Sequence, residues 1–117
     1  MSAQGPVILV GLPGAGKSKV GRLLAERLGV DHIDTDALVV EREGRPIADI
    51  FATDGEAAFR VMETKAVAEA LTHEAVVSLG GGAAATPAVR NLLSGHTVVY
   101  IDAPHEELVR RTASKTH

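Results

Sequence analysis

The chain has 117 residues, of which 45% are apolar and 23% charged, a balance that predicts one compact domain and excludes a disordered chain. A formal net charge of -3 and only 3% aromatic residues exclude a nucleic-acid-binding surface, and the absence of cysteine excludes disulfides and thiolate chemistry. The longest apolar stretch, at residues 6–10, is too short to span a membrane, and without a signal peptide we expect a cytoplasmic protein.

The first half of the chain is predicted to alternate strand and helix. The apolar run at residues 7–10 is typical of a strand that is buried on both faces. Apolar residues at helical spacing predict a helix over residues 17–28, which ends at Gly29. A weaker strand is expected at residues 30–33. Two short helices follow it, at residues 37–42 and 47–52.

The second half continues the same alternation. Asp54 is predicted to cap the longest helix of the chain. Strands are expected at residues 75–79 and 97–101, a helix at residues 87–93 between them, and a last helix at residues 104–112. This order predicts an α/β fold of three layers, in which helices cover both faces of a parallel sheet of four strands. Ligands of such folds bind at the carboxyl ends of the strands.

A phosphate-binding loop is predicted between the first strand and the first helix. Residues 11–18 are GLPGAGKS, a full match to G-x-x-x-x-G-K-[ST] in the required setting. Backbone N–H groups of such a loop point at phosphate oxygens, next to the positive end of the helix. We expect Lys17 to contact the β- and γ-phosphates of a nucleotide and Ser18 to bind Mg²⁺. A glycine-rich turn without a ligand is the less favoured alternative.

Two aspartates follow the second strand. Asp34 and Asp36 alternate across its end, so one can face a metal ion while the other faces a substrate in front of the phosphate loop. The alternative is that either of them only caps the helix that follows.

Arg60 and Glu63 lie three residues apart on the longest helix. The Arg60 guanidinium is suited to a substrate carboxylate, with Glu63 holding it in place, and the neighbouring Phe59 favours a buried setting. The alternative is a surface ion pair that contributes a few tenths of a kcal/mol. Three glycines at residues 80–82 would let a ligand approach the backbone, although they could form only a flexible loop. The five histidines have no metal-ligand spacing and are expected to be surface or loop residues.

These motifs, taken in order along the chain, resemble shikimate kinase. The resemblance implies the P-loop fold of nucleoside-monophosphate kinases. It also implies transfer of the γ-phosphoryl group of ATP to the 3-hydroxyl of shikimate, which gives shikimate 3-phosphate and ADP in aromatic amino-acid biosynthesis. A monomer with small-molecule partners is implied as well. A catalytically silent nucleotide- or shikimate-binding module and a gluconate-kinase-like enzyme remain alternatives. The matching segments are GLPGAGKS, Asp34-Thr35-Asp36, the segment from Gly44 to Arg60 with Glu63, SLGGGA, and VRRT around Arg111.

The resemblance also implies a role for individual residues. Lys17 and Asp36 would be catalytic, with Asp36 accepting a hydrogen bond from the hydroxyl that is phosphorylated. Mg²⁺ would be bound by Ser18 directly and by Asp34 through water. The implied ATP-binding residues are Gly14, Ala15, Gly16, Lys17, Ser18, Lys19 and Arg111. The implied shikimate-binding residues are Asp36, Arg60 at the carboxylate, Gly81, Gly82, the apolar residues Pro13, Phe51 and Phe59, and Glu63 as the support of Arg60.

The chain departs from the family pattern at two places and at its end. Lys19 replaces the usual threonine, and Ala83-Ala84-Ala85 is a variant segment with no assigned function. The family continues after VRRT into a lid, a second carboxylate-binding arginine and a fifth strand. We therefore expect residues 1–117 to form a single P-loop kinase domain that is truncated before the lid. Such a polypeptide is expected to be poorly stable and almost inactive on its own.

Overall fold

The computed structural model describes residues 5–11, 17–80 and 82–101, with the backbone alone at Lys17 and Ser18. The predicted helix at residues 104–112 lies outside these ranges. Within them the predicted elements are confirmed in type and order, with shifts of one or two residues at some ends. The elements are β1 (Val7–Gly11), α1 (Lys17–Leu28), β2 (Asp31–Asp34), α2 (Thr35–Glu43), α3 (Ile47–Asp54), α4 (Glu56–Ala70), β3 (Ala75–Ser78), a 3₁₀ turn (Ala83–Ala85), α5 (Pro87–Leu93) and β4 (Thr97–Ile101).

The four strands form one parallel sheet in the order β2-β3-β1-β4. Ile8 of β1 lies opposite Val77 of β3 on one side and Val98 of β4 on the other. On the far side of β3, Val77 lies opposite Ile33 of β2. The predicted parallel sheet is therefore confirmed, and β1, which leads into the GLPGAGKS segment, occupies an inner position.

Different helices cover the two faces of the sheet. Alternate residues of a strand point to opposite faces, and Ile8 and Leu9 accordingly belong to different apolar clusters. Ile8 shares its cluster with Val67 of α4, whereas Leu9 shares its cluster with Ala25 of α1. A third cluster joins α2, α3 and α4 without a strand residue. The molecule thus has the predicted three layers, with α1 on one face of the sheet and α4 on the other.

Local chemistry explains where several helices begin and end. Gly29 follows α1 with a φ of 72°, and Gly44 ends α2 in the same left-handed conformation, which glycine adopts without steric cost. Pro87 occupies the first turn of α5, where its missing N–H would have no helical partner in any case. No helix within the described ranges has the length and hydrophobicity that a membrane span requires.

The predicted capping role of Asp54 is wrong. Asp54 is the last residue of α3, and its carboxylate accepts hydrogen bonds from the guanidinium of Arg45, with an Nη2–Oδ2 distance of 2.6 Å, and from the hydroxyl of Thr53. The residue that precedes α4 is Gly55, whose φ of 90° is open to glycine and strained for other residues. Asp54 therefore belongs to α3 and does not cap α4, and Gly55 forms the sharp turn between these two helices.

Candidate active site

The predicted substrate residues converge at one edge of the sheet. Asp34 ends β2 and lies opposite Ser78, which ends β3. Because parallel strands end on the same side, the turn after β2 and the glycine loop after β3 are neighbours there. Gly11, at the end of β1, brings the start of the GLPGAGKS segment to the same edge.

Asp34 caps α2. Its Oδ1 accepts hydrogen bonds from the backbone N–H groups of Asp36, at 2.9 Å, and of Ala37, at 3.2 Å. The structure therefore shows for Asp34 the capping role that the sequence left as an alternative. A carboxylate has a second oxygen with its own lone pairs, so the cap is compatible with a water-mediated metal contact through Oδ2.

Asp36 lies directly against the glycine loop. A Cβ atom built on Gly80 would lie 2.1 Å from Oδ1 of Asp36 and 2.6 Å from its carboxyl carbon. Real Cβ atoms essentially never come so near to a non-bonded heavy atom, so a side chain at residue 80 would force the Asp36 carboxylate or the loop to shift. Gly80 therefore permits a close approach of the Asp36 carboxylate to the backbone of the loop.

Arg60 lies against the other end of the same loop. A Cβ built on Gly82 would lie 2.7 Å from Nη2 and 2.8 Å from Nη1 of Arg60. Nη1 donates to both carboxylate oxygens of Glu63, at 3.0 and 3.1 Å, and Nη2 donates to Glu56 at 3.3 Å. The glycine loop therefore separates a carboxylate at Gly80 from a guanidinium at Gly82.

Glu63 is buried, with 1% of its side chain exposed, whereas Arg60 keeps 28% exposed. The alternative of a surface ion pair is therefore wrong for this pair. Burial opposes the positive charge of Arg60, but the hydrogen bonds and charges of Glu63 and Glu56 outweigh it and raise the pKa of the guanidinium. Arg60 thus presents a permanent, oriented and partly exposed positive charge beside Gly82 of the loop.

The two predicted aromatic residues pack against each other beside this charge. The ring centroids of Phe51 and Phe59 are 4.7 Å apart, and the guanidinium carbon of Arg60 lies 5.3 Å from the centroid of Phe59. Phe59 is buried and Phe51 is exposed, with a relative accessibility of 38%. The contact of Arg60 with Phe59 is in the range of a cation–π interaction, which restricts the orientation of the guanidinium.

Two threonines that sequence reasoning did not select hold the glycine loop. The hydroxyl of Thr35 accepts a hydrogen bond from the Gly80 N–H at 3.1 Å and donates to the Ser78 carbonyl at 3.4 Å. The hydroxyl of Thr86 lies 3.4 Å from Oε1 of Glu63 and 3.3 Å from the carbonyl oxygen of Gly82. Hydroxyl residues are common in loops, so only their nearness to the aspartates and glycines could have indicated them.

His32 contradicts the expectation that every histidine is a surface or loop residue. It lies in β2, is half-buried, and its Nε2 is 2.8 Å from Oγ of Ser78 in β3. A Cβ on Gly21 of α1 would lie 2.6 Å from the same nitrogen, so the helix packs closely over this pair. Burial lowers the pKa of His32; the charge of Asp34 opposes this shift and the charge of Arg22 adds to it.

Several predicted site residues fall outside the described part of the chain. Lys19 is described and exposed on α1, whereas the side chains of Lys17 and Ser18 are not described. Among the described residues no group of three or more acidic, histidine or cysteine side chains could hold a metal ion. The other predicted residues outside the described ranges are Pro13, Gly14, Ala15, Gly16, Gly81 and Arg111.

Two surface cavities in the described ranges lie beside α2 and α4 instead. The larger, of about 300 Å³, includes His32 and Asp34 in its lining, and the smaller, of about 190 Å³, lies between the two helices. Neither is lined by Asp36, Arg60 or Gly82. We place the candidate site at the glycine loop, because opposite charges, backbone and aromatic rings converge there.

Comparison with known proteins shows the family to which the chain is similar. A family model described as shikimate kinase matches residues 13–117. Shikimate kinase of Mycobacterium avium is 57% identical over 110 residues, which are 93% of this chain and 62% of that protein. The chain thus spans about 62% of the length of this relative.

Solved structures show the same fold. The chain superimposes with a TM-score of 0.81 on shikimate kinase from Acinetobacter baumannii in complex with shikimate, at 39% identity, with 92% of this chain and 62% of that one covered. A gluconokinase from Sinorhizobium meliloti has a TM-score of 0.53 at 22% identity, with 99% of this chain and 67% of that one covered, and it shares the fold alone. Because the family model matches nearly the whole chain, the protein belongs to the shikimate kinase family.

Proposed function

We propose that the protein acts as a shikimate kinase, which transfers the γ-phosphoryl group of ATP to the 3-hydroxyl of shikimate. The observation that carries the proposal is the placement of Asp36 and Arg60 at opposite ends of one glycine loop. Shikimate is a small polyhydroxylated ring with one carboxylate, so a guanidinium and a hydroxyl acceptor set some distance apart suit it. The loop lies at the end of the sheet where β1 ends at Gly11, the first residue of the predicted phosphate-binding motif.

In the proposed reaction Arg60 binds the carboxylate of shikimate. Its planar fork can donate two parallel hydrogen bonds, and its contacts with Glu63 and Phe59 limit the orientations of the fork. Phe51 would contact the apolar side of the ring, and Gly81 and Gly82 would contribute backbone groups. The substrate is thereby oriented with its reacting hydroxyl toward Asp36.

Asp36 accepts the hydrogen bond of that hydroxyl. The oxygen of the shikimate hydroxyl attacks the γ-phosphorus, and the bond between this phosphorus and the ADP oxygen breaks. The hydroxyl proton passes to Asp36 late in the step. The main task of Asp36 is to orient the hydroxyl, because phosphoryl transfer depends chiefly on positioning and charge stabilisation. Lys17 and the backbone of residues 14–19 would hold the phosphates, with Arg111 against the adenine.

The donor groups of this chain fit a magnesium ion that arrives with ATP. Magnesium is usually bound by one or two protein oxygens together with phosphates and water, and a cage of three protein ligands is unnecessary. Ser18 would bind it directly and Asp34 through water, with Oδ1 of Asp34 retained by the helix cap. When bound, the ion neutralises charge on the phosphate oxygens.

The substitution Asp36→Asn tests this assignment. We expect it to remove most shikimate-dependent ADP release while it leaves ATP affinity nearly unchanged, because the amide keeps the shape but lacks the carboxylate charge. Asp49→Asn, in an exposed acidic residue of α3, is the matched control and should keep full activity. Equal loss of turnover and ATP affinity in Asp36→Asn would contradict the role.

Intact mass should be determined together with the first assay of ADP release, with and without shikimate. Release that depends on shikimate supports the proposed reaction. Binding of shikimate or ATP without turnover would instead support a silent binding module. The same assay tests the low activity that we expect of a 117-residue polypeptide. We also propose that the enzyme is a monomer with a single domain and that it is cytoplasmic.

A further inference from the structure

A buried hydroxyl connects the turn that carries the aspartates to the start of the glycine loop. Thr35 stands between Asp34 and Asp36, and none of its surface is exposed. Its hydroxyl has one proton to donate and lone pairs to accept. It donates to the carbonyl of Ser78 and accepts from the N–H of Gly80, so its orientation is determined from both sides.

The contacts of Thr35 link segments that are far apart along the chain. Thr35 opens α2, whose first turn carries Asp36, and Ser78 and Gly80 flank the last residue before the glycine loop. Leu79, between them, donates its N–H to the carbonyl of Leu9 in β1 at 3.0 Å. The start of the loop is therefore held by the sheet at Leu79 and by the Thr35 side chain of α2 at Gly80.

The position of Asp36 depends on this link. Its Oδ1 lies 2.1 Å from the position that a Cβ of Gly80 would take, so a small displacement of Gly80 changes the separation between the carboxylate and the loop. The Asp34 cap fixes the backbone of Asp36 within α2, but it does not fix α2 relative to the loop. Thr35 supplies that second constraint, from the residue next to Asp36.

We propose that Thr35 is a positioning residue of the kinase, which sets the distance between the Asp36 carboxylate and the glycine loop through its bridge from Ser78 to Gly80. This inference rests on the proposed function for its kinetic consequence, but the bridge itself can be tested without turnover. A buried apolar residue of the same shape would leave the Gly80 N–H and the Ser78 carbonyl without this partner. Serine would keep the bridge and lose only a methyl group.

The kinetic test compares Thr35→Val with Thr35→Ser. We expect Thr35→Val to lower kcat/KM for shikimate by about 10- to 100-fold with KM for ATP changed less than about twofold, because misplacement of a reacting group has costs of this size. Thr35→Ser should stay within about threefold of the parent. Ser78→Ala is the matched control: it removes a buried hydroxyl from the same cluster but keeps the Ser78 carbonyl, and it should also stay within about threefold.

Three kinetic results would overturn the proposal. They are a Thr35→Val enzyme with unchanged kcat/KM for shikimate, an equal fall in Thr35→Val and Ser78→Ala, and a failure of Thr35→Ser to retain activity. If Thr35→Val does not fold, Thr35→Cys takes its place, since a thiol of similar size is only a weak donor and acceptor.

Amide hydrogen exchange tests the bridge independently of catalysis. The Gly80 N–H should be protected in the parent and in Thr35→Ser, and it should exchange at least about tenfold faster in Thr35→Val. The neighbouring Leu79 N–H, bonded to Leu9, is the internal control and should not change. Equal Gly80 exchange in the serine and valine variants would refute the bridge. Absence of shikimate-dependent turnover in a parent protein whose intact mass exceeds that of 117 residues, with the exchange result intact, would count against the proposed function alone.

Discussion

Glu63 is a carboxylate at a buried position, and its partners explain why the fold tolerates it. Arg60 donates to both of its oxygens, and the Thr86 hydroxyl lies 3.4 Å from one of them. A buried charge without such partners would cost several kcal/mol. Arg60 also reaches Glu56, whose side chain is 69% exposed. The Arg60 guanidinium therefore donates hydrogen bonds to one buried and one exposed carboxylate of the same helix.

This pair of carboxylates offers a controlled stability prediction. Glu63→Gln should lower the free energy of unfolding by about 1–3 kcal/mol, because it removes the charge that a partly buried guanidinium faces. Glu56→Gln should change it by less than about 0.5 kcal/mol, since exposed ion pairs contribute little. Urea unfolding of the two variants and the parent measures the difference. Equal effects would show that the buried charge of Glu63 contributes no more to the free energy of unfolding than the exposed charge of Glu56.

At the scale of elements, α1 comes unusually close to the sheet. Gly21, on the inner side of the helix, faces the hydrogen-bonded pair formed by His32 in β2 and Ser78 in β3. A Cβ there would lie 2.9 Å from the serine oxygen as well as 2.6 Å from the histidine nitrogen. Because residue 21 has no side chain, α1 can lie this close to β2 and β3.

Replacement of this glycine should destabilise the protein although alanine is the better helix former. Gly21→Ala gains about 1 kcal/mol of helix propensity, but overpacking against the sheet costs about 1–3 kcal/mol. We expect a net loss in thermal unfolding, and the added substitution His32→Ala should recover part of it. Glu26→Ala, on the exposed side of α1, is the control and should have an effect below about 0.5 kcal/mol. A stabilised Gly21→Ala variant would contradict the close packing.

The types of the elements were predictable from the sequence, and some of their ends were not. Short apolar runs and helical periodicity gave the right order from β1 to β4, because both patterns are local. The predicted role of Asp54 at the end of α3 was wrong. Asp54 is equally suited to cap a helix or to pair with Arg45, and only the folded geometry decides between these roles. The 3₁₀ turn at Ala83–Ala85 has no comparable local signal.

For the molecule as a whole, His32 makes stability depend on pH. Burial lowers the pKa of His32 in the folded state, against the opposing charge of Asp34 and with the added effect of Arg22. The unfolded chain therefore binds a proton at this residue more readily than the folded chain does. Stability from this source is complete above the unfolded pKa of about 6.5 and is lost as the pH falls below it.

The measurement is urea unfolding at about pH 7.5 and about pH 5.5, on either side of that value. We expect the parent to lose stability at the lower pH and His32→Leu to lose less. Ser78→Ala should behave like the parent in this respect, because burial is the largest cause of the shift. The same loss in His32→Leu as in the parent would assign the pH dependence to other groups.

The candidate site was predictable where a motif carries the chemistry, and less so where tertiary contacts do. Asp36, Arg60 and Gly82 were selected from the sequence, and the structure places them around one loop. Thr35 and Thr86 were not selected, since their hydrogen bonds join residues 23 and 45 positions apart and have no periodic signal. The choice between a surface and a buried setting for Glu63 likewise needed the fold, because a spacing of three residues is the same in both.

The inner position of β1 also bears on how the protein folds during its synthesis. Val7 pairs with Val76 and with Thr97, so β1 has no partner in this sheet until β3 and β4 have followed it from the ribosome. At about 5–20 residues per second this wait lasts several seconds. During it the apolar segment that leads into GLPGAGKS is open to chaperones and to aggregation, until β3 and β4 pair with it.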